Sequence, residues 1–126
     1  MTIITTLQHA ALEFNDTKDA DIFFIKILGL NLKKKFFLSE KLSDEIFGIK
    51  QKIKIHVYSN DKSCFEIFFT NKPKIKSFDH ICIEIDDKEK FLKLCEKYKI
   101  KKYFVKKGNK KLLFIKDQSN NLYEIK

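Results

Sequence analysis

His9 and His80 each lie in a short run of alternating character, LQHAALEF (7–14) and FDHICIEI (78–85). Each run is followed by a polar pair able to cap a helix, Asn15-Asp16 and Asp86-Asp87, and each pair begins six residues after its histidine. Two glutamates repeat in the same way, Glu66 within CFEIF and Glu124 within LYEIK. The longer His-to-Glu span of the first half is accounted for by an extra loop at 38–50. A repeat that carries one His and one Glu at equivalent places marks a duplicated unit. Alternate residues of a strand share a face, so His9 goes with Ala11 and Glu13, and His80 with Cys82 and Glu84. Two imidazoles and two carboxylates that converge would satisfy one another around a divalent cation, whereas an unpaired buried carboxylate is very costly. Such a set suits Zn²⁺, Ni²⁺, Co²⁺, Mn²⁺ or Fe²⁺ and leaves positions open for water or substrate.

The elements that must position these four residues follow from periodicity and turn chemistry. After the strand at 7–14, the Asn15-Asp16 cap starts a helix that runs to Leu28 and stops at Gly29. Strands follow at 31–37, 53–59 and 63–70, the last two joined at Asn60-Asp61, with a short helix inside the polar loop at 39–49. Pro73, in NKPKIK, marks the internal boundary. The second half repeats the plan with a strand at 78–85, a helix from the Asp86-Asp87 cap through Tyr98, and strands at 101–105, 111–117 and 122–126. The expectation is an α+β fold: one domain over 1–126 built from two βαβββ modules, 5–71 and 76–126.

Composition bounds the function. Roughly a third of the residues are Ile, Leu, Val or Phe, well above the level of disordered chains. The formal charge is +9, with 26 basic residues that are all lysine. Without arginine the chain lacks the guanidinium forks that read guanine or clamp phosphate, and its lysines are dispersed, so no nucleic-acid partner is expected. The lysine-rich surface reads as solvated, or as a general attraction for acidic molecules. No apolar run reaches the roughly 20 residues of a membrane span, so no membrane partner is expected. Three cysteines without paired spacing and no charged-then-apolar leader predict a reduced, cytoplasmic protein.

In LQHAALEF with the following FFIKILGLNL, then CFEIFF, FDHICIEI and FIKDQSNNLYEIK, the chain resembles the vicinal oxygen chelate superfamily over nearly its whole length. That group contains glyoxalase I, methylmalonyl-CoA epimerase, extradiol dioxygenases, and fosfomycin and bleomycin resistance proteins. The resemblance implies that the paired modules form a cupped mixed β-sheet, the glyoxalase/bleomycin resistance fold. It also implies a metal held on the first and last strands of each module, which by position means His9, Glu66, His80 and Glu124. The His-Glu-His-Glu set is similar to that of glyoxalase I; the epimerase usually has Gln at the second place, and the dioxygenases and fosfomycin enzymes use a three-ligand His-His-Glu set. Glyoxalase I typically has an Arg and an Asn contacting glutathione where this chain has Glu13 and Thr70, and a carboxylate at Glu13 would repel glutathione. The closing turn Asp117-Gln118-Ser119-Asn120-Asn121 replaces Asp-Pro-Asp-Gly-Asn, which Asn can accommodate because it tolerates left-handed backbone.

The resemblance implies a metal-dependent, glyoxalase-like lyase or isomerase acting on a small α-oxo, hemithioacetal or thioester substrate through a metal-stabilised enediolate, with Glu124 or Glu66 as general base. The alternatives are a methylmalonyl-CoA-epimerase-like enzyme and a metal-free protein that sequesters a small molecule, as bleomycin resistance proteins do. Members of this length often pair two chains, so a homodimer is expected. Among the other reactive residues, His56 reads as a surface or partner-contacting histidine, Cys82 as a small buried hydrophobe, and Cys64 and Cys95 as structural. The loop at 38–50, with Leu42, Ile46, Phe47 and Ile49, reads as a lid or dimer contact.

Overall fold

The computed structural model describes residues 2–72 and 75–126. The first half runs β1 (Ala10–Phe14), α1 (Thr17–Asp21) continuing into a π-helical stretch (Ile22–Ile27), β2 (Asn31–Leu38), α2 (Glu40–Phe47), β3 (Ile53–Ser59) and β4 (Cys64–Phe69). The second runs β5 (Ile81–Ile83), α3 (Lys88–Lys97), β6 (Lys101–Lys107), β7 (Lys110–Lys116) and β8 (Leu122–Ile125). Each half forms one mixed four-stranded sheet, in the orders β1-β4-β3-β2 and β5-β8-β7-β6. In both, the first strand crosses over through a helix to lie parallel to the last, and all other pairs are antiparallel. This is the expected α+β fold of two βαβββ units. The internal boundary read at Pro73 falls on residues outside those described.

The helix starts are set by side chains that satisfy free backbone N–H groups. Asp16 accepts from the N–H groups of Lys18 and Asp19 at 2.7 and 3.3 Å, and Asp87 accepts from that of Lys90 at 3.0 Å. After Asp21 the helix widens, with Leu28 N–H donating to the Phe23 carbonyl at 2.9 Å, five residues back. Gly29 then reverses the chain at φ +72°, a conformation that costs most side chains energy. The buried residues Ala20, Phe23, Phe24 and Ile27 form one stripe down this helix. They join a single core that also takes Phe14, Tyr58, Phe65 and Ile67 from the first half and Phe91, Cys95, Ile115 and Tyr123 from the second. Phe23 packs against Tyr123 at 5.0 Å between ring centroids, and Phe24 stacks on Tyr58 at 5.0 Å.

The histidine-bearing strands are shorter than the expected 7–14 and 78–85. β1 and β5 are edge strands, each with one partner, and each extends only where β4 or β8 supplies backbone groups to bond. Cys82, expected to be buried, is exposed, because it lies on the face of β5 turned away from the core. Cys95 is buried, which raises its thiol pKa to about 11, as its structural role requires. The largest correction concerns His56. It is 5 % exposed, not a surface residue, because β3 is an interior strand covered on both faces. Ile53, Ile55 and Val57 pack on one side with Phe36, Leu38 and Phe68, while Tyr58 joins the helix-side core on the other.

The turn at 117–121 ties the halves together. Asp117 Oδ1 accepts from the N–H groups of Ser119 and Asn121, and Tyr123 Oη donates to Asp117 Oδ2 at 2.7 Å. Asn120 takes φ +66°, the left-handed geometry expected of this turn. Asn121 Nδ2 donates to the Glu13 carbonyl at 2.9 Å, and Ser119 Oγ accepts from Asn15 N–H at 3.1 Å. Asn121→Ala leaves the Glu13 carbonyl and a buried carboxylate short of donors and is expected to cost about 1–3 kcal/mol in denaturant unfolding. Burial lowers the His56 pKa below 6.5, with Asp21 opposing and Lys35 and Lys54 adding to the shift. The unfolded chain therefore binds a proton first as pH falls, and stability declines from about pH 6.5 down through the lower folded value. His56→Gln should flatten that part of the stability–pH profile, measured by unfolding at a series of pH values.

Candidate metal centre

In β1, Ala10, Leu12 and Phe14 turn to the core, leaving Ala11 and Glu13 exposed on the other face. In β4, Phe65 and Ile67 turn inward, so Glu66 shares the outward face. His9 immediately precedes β1, and its Nε2 lies 3.4 Å from Glu66 Oε1. The second half reproduces this placement residue for residue. His80 immediately precedes β5, and Cys82 stands opposite Glu124 in the parallel register just as Ala11 stands opposite Glu66. The His-to-Glu correspondence read from the repeat therefore exists as backbone register.

The two pairs differ in their present partners. His80 Nδ1 lies 2.9 Å from the Phe78 carbonyl oxygen. A carbonyl only accepts, so Nδ1 carries the proton, and the nitrogen left for a metal is Nε2. Glu124 is paired with Lys126 Nζ at 3.2 Å instead of with His80. A cleft of about 150 Å³ between the two edge strands is lined by His9, Ala10, Phe65, Ile81 and Cys82. Among the described residues, however, no three His, Cys, Asp or Glu side chains converge as a metal site. The chain thus brings His9 to Glu66 and sets His80 and Glu124 on one face, but does not join the two halves.

Beside the first half-site is a cavity of about 210 Å³ on the same face, lined by Glu13, Phe47, Ile49, Ile53, Phe68 and Thr70 among others. The helix α2 covers it, with Phe47 edge-on to Phe68 at 5.5 Å. Ser39 caps α2 through Leu42 N–H at 3.1 Å, and Gly48 ends it at φ +69°. The Thr70 hydroxyl is buried there without a hydrogen-bond partner. Sequence reading singled out Glu13 and Thr70, counted Phe68 only among phenylalanines that fill the core or wall a pocket, and missed Ile53. Their signal was the odd-numbered apolar series of β3 set against the even-numbered series of β4.

Neither a protein-family model nor a curated protein matches the sequence. Solved structures do match the fold. The fosfomycin resistance protein FosX from Listeria monocytogenes aligns with a TM-score of 0.72 at 12% identity, over 98% of this chain and 93% of that one. Glyoxalase family proteins from Bacillus cereus and Enterococcus faecalis align with TM-scores of 0.71 and 0.70. The first is 14% identical over 98% of this chain and 94% of its own; the second is 15% identical over 95% of both. The Listeria FosX has been crystallised with Mn(II) and sulfate. No helix among the described residues is long and apolar enough to cross a membrane. The His9–Glu66 pair is half-exposed, with side chains 44% and 28% accessible, so its removal should cost little stability. His9→Ala and Glu66→Gln are each expected to unfold within about 1 kcal/mol of the parent in denaturant titrations.

Proposed function

We propose, for a chain that has the vicinal oxygen chelate fold, that it is a metal-dependent lyase or isomerase whose metal is held by His9, Glu66, His80 and Glu124. The observation that carries this reading is the shared register, Ala11 opposite Glu66 and Cys82 opposite Glu124, with a histidine two residues before each. Each half offers one imidazole and one carboxylate, and together they make a donor set that fits a divalent transition ion. When bound, such an ion supplies Lewis-acid polarisation to adjacent substrate oxygens. Glu124, with Glu66 as the other candidate, moves a proton between neighbouring carbons of an α-oxo acid, hemithioacetal or thioester. Lys126 Nζ pairs with the Glu124 carboxylate at 3.2 Å. Substrate lies against the cavity beneath α2, where the Glu13 carboxylate disfavours an anionic carrier such as glutathione.

A second copy of the chain joins the half-sites in this reading. Ile3, Ile4 and Leu7 before His9, and Ile75 and Phe78 before His80, are between 82% and 99% exposed. Apolar surface of that extent beside two unpaired sheet edges is what a homodimer would cover.

Elemental analysis of protein purified without chelator or affinity nickel should find about one transition ion per chain, lost in His80→Ala. Absence of metal after reconstitution would move the assignment to a metal-free sequestering protein. Glu124→Gln should keep the fold and most of the metal while losing turnover; retained turnover would remove Glu124 as the base. Mixing and refolding His9→Ala with His80→Ala should restore about a quarter of the four-ligand sites if each site draws on two chains, and none if sites are internal to one chain.

A further inference from the structure

On the opposite face of the first sheet, away from both half-sites, a cavity of about 390 Å³ opens between α1 and the β2–β3 pair. Its walls include Thr17 and Asp21, one turn apart on α1, and Lys35, Phe37, Lys54 and His56 from the strands. The register sets Lys35 opposite His56 and Phe37 opposite Lys54, which places all four on one face. His56 is held in a defined state. Tyr58 Oη donates its only proton to Asp21 Oδ1 at 2.6 Å, and His56 Nδ1 lies 3.2 Å from Tyr58 Oη. The phenol proton is committed, so Nδ1–H must be the donor to Tyr58, and the lone pair of the neutral ring sits on Nε2. Burial and Asp21 both push the Tyr58 pKa upward, which keeps that phenol proton in place. Phe69 fixes the imidazole edge-on at 4.7 Å.

Nε2 has no hydrogen-bond partner among the described residues, and neither Lys35 nor Lys54 pairs with a carboxylate there. The cavity therefore offers two ammonium groups, one acceptor nitrogen and the ring of Phe37. The Asp21 carboxylate opposes full negative charge. We propose that this cavity binds a singly protonated phosphoryl oxyanion, a phosphate monoester or inorganic phosphate. The anionic oxygens accept from Lys35 and Lys54, and the acidic O–H donates to His56 Nε2. An anion without an acidic proton meets an unpaired lone pair at Nε2 and repulsion from Asp21, so sulfate is discriminated against. The groups that face His56 are Asp21, Lys35 and Lys54. The proton that bridges to neutral His56 is the anion's own, so affinity for a phosphate monoester should fall as pH rises and that acidic O–H ionises.

The test is a titration of the full-length protein with inorganic phosphate, followed through the ring nitrogen signals of its three histidines by long-range ¹H–¹⁵N NMR. Phosphate should shift the His56 Nε2 signal saturably, with sulfate about tenfold weaker. The Lys35→Ala/Lys54→Ala double variant, both of whose positions are exposed, should keep the parent circular dichroism and bind phosphate about tenfold more weakly. Lys106→Ala/Lys107→Ala should bind within about twofold of the parent. Three results would each overturn the proposal: an unmoved His56 signal, equal losses in the two double variants, or sulfate binding as tightly as phosphate. The last two would mean diffuse anion attraction to a lysine-rich surface.

Discussion

Everything else in the molecule depends on one shared aromatic core. Phe23 and Phe24, adjacent on the π-helical stretch, are both fully buried and contact Phe14, Tyr58, Phe65 and Tyr123. Burying such side chains stabilises the fold by about 1.5–3 kcal/mol each, and ring-on-ring contacts add to that. Because Tyr123, Phe91 and Cys95 belong to the same cluster, neither βαβββ unit completes its own core. The helices occupy the space between the elements, so the sheets' other faces are left to face outward. Those faces carry His9, Glu66, His80 and Glu124.

Two networks of buried polar groups each have a positional consequence. Asp117, Asn121 and Tyr123 bond to one another, and Asn121 reaches the backbone of β1. Burial raises the Asp117 pKa while its hydrogen bonds to Tyr123, Asn121 and Ser119 oppose the shift. The result is a dense junction that registers the β7–β8 turn against the end of β1. The second network, Asp21–Tyr58–His56, registers α1 against β3. Both networks sit among neighbours already held by the apolar core, and each leaves one acceptor unpaired among the described residues, Asn121 Oδ1 in the first and His56 Nε2 in the second.

Duplication has not produced two equal halves. The first sheet carries α2 over its open face, where Phe47 meets Phe68 and a cavity forms; the second half has no helix between its corresponding strands. There β6 and β7 are joined directly at Gly108-Asn109, and Tyr103 stacks on Phe114 at 5.7 Å. In the proposed site assembled from both halves, the first would supply the walled pocket and the second an imidazole oriented by the Phe78 carbonyl. The insertion at 38–50 is what separates their roles.

The sequence by itself determined the element order, the helix caps at Asp16 and Asp87, the stop at Gly29, the turn at 117–121 and the duplicated His–Glu pattern. These are local or periodic features: a capping carboxylate bonds backbone three residues away, and alternation assigns a strand's faces wherever one face must be buried. Tertiary structure decided what depends on neighbours distant in the chain. His56 alternates with apolar residues and reads as outward, yet α1 covers its face, and only the docking of Tyr58 on Asp21 makes it a buried, oriented base. Cys82 reads as buried, yet the face it shares with Glu124 is open. β1 and β5 end early because each edge strand has one partner, and a partner's length is not written in the strand itself. The same limit governs the four candidate ligands: the repeat pairs each His with its Glu, but whether the two pairs meet depends on how the modules, and in the proposed dimer the chains, come together.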